Sequence, residues 1–260
     1  MTSPGDSERY ALSIDDWTLI TNIRNAYDQY CVQKFHQSHE IIPLIPPIQP
    51  HRSRLKIHRL IELHYKYVMI IASFLRRILQ FEILPMSTGN SQLMVKDNIQ
   101  HLFYVNVSEL MKSKILEHFP WEHDRLAMQF FLSDEILHRA ETLINNFQNL
   151  LPYDPLIMKL CLIVLALSSR ISPVLRQEQY HSKDFEALPA NLLQSQNYYL
   201  TLLWKYVIYR LGYTDAVRFS VRFVQNFLNS QTLDGDIIET VQHRNDFSQL
   251  VEYHQNNFSY

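Results

Sequence analysis

The sequence predicts an all-α domain. Three observations carry that expectation: scarce glycine, apolar residues recurring at spacings of three and four, and serine or aspartate caps where those patterns begin. Glycine occurs only 4 times in 260 residues, about 1.5% against roughly 7% in average usage. Tight hairpins and phosphate-cradling loops need glycine where φ is positive or the backbone must approach a ligand, so such architectures are disfavoured. Hydrophobic residues make up 47% and charged residues 19%, which excludes a disordered polar chain. The expected organisation is a flexible N-terminal tail over residues 1–12, then one domain of roughly ten helices over residues 13–260.

The elements follow in order. Ser13-Ile14-Asp15-Asp16 is a capping box, and Trp17, Ile20, Ile23, Tyr27, Tyr30 and Cys31 continue as a helix ending near Phe35. Pro43, Pro46, Pro47 and Pro50 make an extended connector. Residues 53–81 are the clearest helix, with Leu60, Leu63, Tyr67, Ile70, Phe74, Ile78 and Phe81 on one stripe. Residues 85–96 read as a loop containing Gly89 and Asn90, and 98–117 as a helix with an apolar middle. Ser133-Asp134-Glu135 caps a helix running to about Leu151. Residues 156–169 are apolar on nearly every face and belong at the centre of the fold. Residues 176–189 are polar loop. A long aromatic helix over 191–211 closes at Gly212. Thr214-Asp215 caps another running to about Gln231, with Val217, Val221, Val224 and Leu228 on one side. A short apolar piece, 247–253, follows Ile237-Ile238 near the end.

Composition excludes several functions. A net charge of −2 offers no electrostatic footprint for nucleic acid, so no direct nucleic-acid contact is expected. Two cysteines, Cys31 and Cys161, suggest a reducing compartment and cannot form a cysteine zinc module. No signal peptide is visible, and the apolar run from 156 to 167 is short and interrupted by Lys159, so no membrane association is expected. The histidine pairs His36/His39 and His118/His123 lack a third ligand at suitable spacing, so no metal or cofactor is expected. Asp15-Asp16 and Asp134-Glu135 sit where caps want negative charge, and Ser168-Ser169 lacks the glycines of a nucleophile elbow. No residue is assigned a catalytic role, and the chain does not read as an enzyme.

Phe74-Leu75-Arg76-Arg77-Ile78-Leu79-Gln80-Phe81-Glu82-Ile83-Leu84, followed by Asp97-Asn98-Ile99-Gln100-His101-Leu102, resembles the signature of nuclear receptor ligand-binding domains. That signature is Phe-x-(Lys/Arg)-x-x-Pro-x-Phe-x-x-Leu, then Asp-Gln-x-x-Leu-Leu; Leu79 stands at its proline and Asn98 at its glutamine. Asp15-Asp16-Trp17 through Ala26-Tyr27 is similar to the first helix of the vitamin D, thyroid hormone and ecdysone receptor-like branch. Residues 165–173 are similar to the serine-rich end of the family's central helix.

The resemblance implies a three-layer antiparallel helical sandwich in the nucleus, holding a lipophilic small molecule and recruiting a Leu-x-x-Leu-Leu coregulator helix. The implied charge clamp is Arg76 with Glu252 on a C-terminal activation helix. A cation at the guest's C-terminal carbonyls and an anion at its N-terminal amides suit the helix dipole. The implied groove is Phe74, Asn98, Leu102, Leu250 and Val251, and the implied ligand pocket His64, Tyr67, Val68, Ile71 and Phe103. Arg218, Arg222 and Gln225 mark the implied surface of a homodimer or heterodimer. The family's separate zinc-bearing DNA-binding module is not in this chain. The rival reading is a helical scaffold or adaptor with neither cavity nor switch.

Overall fold

The computed structural model describes residues 10–39, 70–78, 90–115, 128–129, 132–150, 154–168 and 190–242. Among them seven helices can be delimited, against the roughly ten expected, and no residue is in a strand. They are α1 (Ile14–Tyr27), α2 (Gln33–His39), α3 (Asn90–Lys112), α4 (Asp134–Leu150), α5 (Pro155–Ala166), α6 (Ala190–Leu211) and α7 (Tyr213–Gln242). Residues 70–78 are also helical. None of the described helices is long and apolar enough to cross a membrane.

The opening capping box forms as written. Ser13 Oγ accepts from the Asp16 amide at 3.1 Å, and Asp16 Oδ2 accepts from the Ser13 amide at 2.9 Å. The helix does not end at Phe35. It passes through a π turn, Asp28–Val32, into α2 and reaches His39. The turn keeps one row of side chains facing inward: Ile20, Ile23, Tyr27, Cys31 and Phe35 are all buried.

Two further boundaries differ from expectation. Helix α3 begins at Asn90, inside the stretch read as loop, because residues 91–96 contain neither glycine nor proline to stop a helix from starting early. Helix α7 begins at Tyr213, ahead of the expected Thr214-Asp215 cap, and runs unbroken to Gln242 through Gly235 and Ile237-Ile238. A single internal glycine costs about 1 kcal/mol relative to alanine and does not by itself end a well-packed helix. Gly212, between α6 and α7, has φ +75°, a backbone geometry that side-chain-bearing residues rarely adopt.

Helix α5 is the centre, as its all-round apolarity requires: ten of its twelve residues are buried. Asp154 caps it by accepting from the Leu156 amide at 2.9 Å, with Pro155 in the first turn. It packs against α3, α6 and α1. Helix α3 also packs against α4 and α7, and α7 lies along both α4 and α6. Phe147 on α4 meets Phe223 on α7 edge-on at 5.9 Å, and Arg139 pairs with Asp236 across the same seam. Each buried Leu-sized side chain contributes roughly 1.5–3 kcal/mol, so this shared core is the main stabilising term.

Candidate functional site

The residues implied by the receptor resemblance divide into three groups. Phe74, Ile71 and Leu102 are fully buried in one apolar cluster, and Phe103 packs against it half-buried. Tyr27 reaches that cluster from α1, its ring 5.3 Å from Phe74 and edge-on. Arg76 is exposed on the turn after Phe74. Arg218, Arg222 and Gln225 are exposed on α7, where Arg218 bonds Asp215 at 2.9 Å. His64, Tyr67, Val68, Leu250, Val251 and Glu252 lie outside the described residues, as does the side chain of Asn98.

Val217, Val221, Val224 and Leu228 point outward from α7, each at least 39% exposed. Their steps of four, three and four are heptad spacing, with Arg218 and Gln225 falling beside the seam. A core-facing stripe and a partner-facing stripe have the same sequence pattern; only the placement of α4 and α6 on the other side of α7 distinguishes them.

A buried polar cluster joins α3 to α7. His101 Nδ1 lies 2.8 Å from Ser230 Oγ and 3.1 Å from Asp234 Oδ2. Ser230 Oγ donates to the Phe227 carbonyl at 2.7 Å, which leaves Nδ1–H as the donor to both partners. Burial pushes His101 down to about 4 and Asp234 up to about 8. Serine and aspartate share one ring nitrogen, whereas a proton relay needs them on opposite nitrogens, so the trio holds structure and performs no nucleophilic chemistry.

A charged cleft of about 440 Å³ lies between α1, the π turn and the ends of α3, α5 and α6. Lys159, on the apolar helix α5, crosses it to bond Asp28 Oδ1 at 3.3 Å, with its ammonium 4.6 Å from the centre of the Tyr27 ring. Asp154 Oδ2 accepts from Tyr206 Oη at 2.6 Å and from Arg210 Nε at 2.7 Å. Glu109, 2% exposed, completes the lining, and its Oε2 is buried with no hydrogen-bond partner. Burial pushes this carboxyl up to about 8, against the opposing pull of Lys159 and Lys112. Arg24 stands in the wall with no ion-pair partner among the described residues.

Behind the cleft, Tyr27 Oη donates to Asn106 Oδ1 at 2.7 Å, and Cys31 Sγ is 3.7 Å from the same oxygen. Asn106 Nδ2 is buried without a partner. Among the described residues no three histidine, cysteine or acidic side chains converge as a metal site would require. One signal that could have pointed to this cleft is Lys159 inside the most apolar run, because a buried ammonium demands an acid nearby. No family model matches the chain, and no curated protein matches it.

Proposed function

We propose that this chain is a ligand-responsive transcriptional regulator domain of nuclear receptor type. It would be built as a three-layer helical sandwich, act in the nucleus and perform no enzymatic reaction. The observation that carries the reading is the position of α3. The helix bearing Asp97 to Leu102 packs against α4, α5 and α7 together, and its Leu102 shares one core with Phe74. Arg76 is exposed two residues after Phe74, which leaves it accessible to a guest helix. The outward heptad stripe on α7 adds support for a dimer through that helix.

In this reading a lipophilic molecule fills a cavity lined from the 53–81 segment and α3, and the C-terminal piece folds over it. Leu250, Val251, Phe74, Asn98 and Leu102 then frame a groove for a Leu-x-x-Leu-Leu helix, gripped at its ends by Arg76 and Glu252. The activation segment, Gln249 to His254, has polar residues at both ends where the family pattern is apolar. Losing about 2 kcal/mol of docking shifts a two-state equilibrium roughly thirtyfold, so the closed state is sparsely populated without ligand.

Fluorescence anisotropy of a labelled Leu-x-x-Leu-Leu peptide tests this directly. Weak binding to the free protein, strengthened by a copurifying lipophile found by native mass spectrometry and abolished by Arg76→Ala or Glu252→Ala, is the expected result. Nanomolar binding without ligand contradicts the gating, and binding indifferent to both substitutions contradicts the clamp. Absence of any peptide binding transfers support to the scaffold reading.

A further inference from the structure

We propose that the cleft between α1, the π turn, α3, α5 and α6 binds a small zwitterion, its ammonium on Glu109 and its carboxylate on Arg24. The proposal does not rest on the receptor reading, whose cavity would be lined by other residues.

The argument is one of unused valences. Four of the cleft's charged groups satisfy one another, Asp28 with Lys159 and Asp154 with Arg210. Two do not. Glu109 Oε2 is buried and unpartnered, and a buried polar atom left without a hydrogen bond costs free energy that a bound donor recovers. Arg24 has no ion-pair partner among the described residues. The volume of about 440 Å³ falls in the lower part of the range for small-molecule sites.

Charge then selects the ligand. An amine alone would satisfy Glu109 but sit among Arg24, Lys159 and Arg210. A carboxylate alone would meet Arg24 and leave Glu109 unpartnered. With Glu109 ionised the lining holds three cations and three acids, so it complements a molecule of zero net charge bearing both groups. The bound ammonium supplies the opposite charge that Glu109 lacks in the free protein, so binding near neutral pH releases the carboxyl proton to solvent.

The spacing is measured with a ladder of ω-amino acids from glycine to 6-aminohexanoate, titrated calorimetrically into the full chain in buffers of different ionisation enthalpy. Hexanoate and hexylammonium serve as single-ended controls. One rung is expected to bind at least ~10-fold more tightly than either control, with proton release in the wild type. Glu109→Gln is expected to weaken that rung by ~10-fold and abolish the proton release, and Arg24→Ala to weaken it by ~10-fold while keeping the release. Arg24 is exposed, so its variant folds even if the Glu109 variant does not. The proposal is overturned if no rung gives a saturable heat below about 10 mM, if hexanoate or hexylammonium binds as tightly as the best rung, or if binding ignores the Arg24 substitution.

Discussion

Lys159 places its ammonium 3.3 Å from Asp28 Oδ1 and so ties α5, the most buried of the described helices, to the π turn that follows α1. The lysine side chain is 7% exposed and the aspartate 49%. The pair is therefore asymmetric: the cation depends on its partner far more than the anion does.

That asymmetry sets an order of effects. Asp28→Asn removes the carboxylate charge nearest a buried ammonium and leaves it the Tyr27 ring and a neutral amide oxygen, and should cost about 1–3 kcal/mol. Lys159→Met removes the buried charge, keeps the packing and leaves Asp28 to water, and should cost less than about 1 kcal/mol. Urea denaturation of the two variants measures both. A larger loss in the methionine variant would mean that the attraction outweighs the desolvation of the lysine.

Stability should fall between neutral and mildly alkaline pH. Glu109 and Asp234 both titrate near 8 in the folded chain, against ordinary values of 4.5 and 3.8. The folded state therefore holds protons that the unfolded state releases, and the stability they contribute, complete at acid pH, is lost as pH rises through about 8. His101 acts oppositely: lowered from 6.5 to about 4, it contributes stability above 6.5 that is lost as pH falls through about 4. Of these three groups only the two carboxyls act above about 6.5, so the urea midpoint should drop from there to about 8.5, less steeply in Glu109→Gln. A midpoint that rises over this interval would refute the assignment.

Helix α3 ends in a strained residue. Lys114 has φ 59°, its amide reaches the Met111 carbonyl at 3.1 Å, and the Ile115 amide reaches Leu110 at 3.0 Å, which together form a Schellman cap. That geometry favours glycine, so Lys114→Gly should raise stability by roughly 0.5–1 kcal/mol despite the entropy glycine brings to the unfolded chain. An unchanged or lower thermal midpoint would count against the cap.

The outward stripe of α7 should mediate self-association. Analytical ultracentrifugation should show a dimer for the wild-type chain and a monomer for Val221→Glu/Val224→Glu, with equal helix content by circular dichroism. Both valines are 53% exposed, so the substitutions burden the interface and spare the core. A wild-type monomer would remove the interface.

The core was legible in the sequence and the cleft was not. Residues 156–166 announced their burial by being apolar on nearly every face, and the caps at Ser13 and Ser133 stand at the starts of helices that sequence alone could place. The orientation of α7 was hidden, because Val217 to Leu228 has the same spacing whether it faces a core or a partner. Glu109 was hidden for a related reason: one acid in an apolar helix reads as a surface residue until the packing of α1 and α5 over it is known. The π turn did leave a trace, in two consecutive steps of four from Tyr27 through Cys31 to Phe35, a drift longer than the α-helical period.

That turn acts as a phase corrector. Each residue of an α-helix advances the azimuth by about 100°, so the nineteen steps from Asp16 to Phe35 would leave Phe35 about 100° away from the side on which Asp16 lies. A single π turn absorbs about one residue of that advance and returns Phe35 to alignment with Ile20, Ile23 and Tyr27. Deleting one residue between Asp28 and Val32 would leave about eighteen α-helical steps, five whole turns, so the backbone would become regular with Phe35 still facing inward, whereas a conventional helix bearing all the present side chains in order could keep only one of its two halves docked.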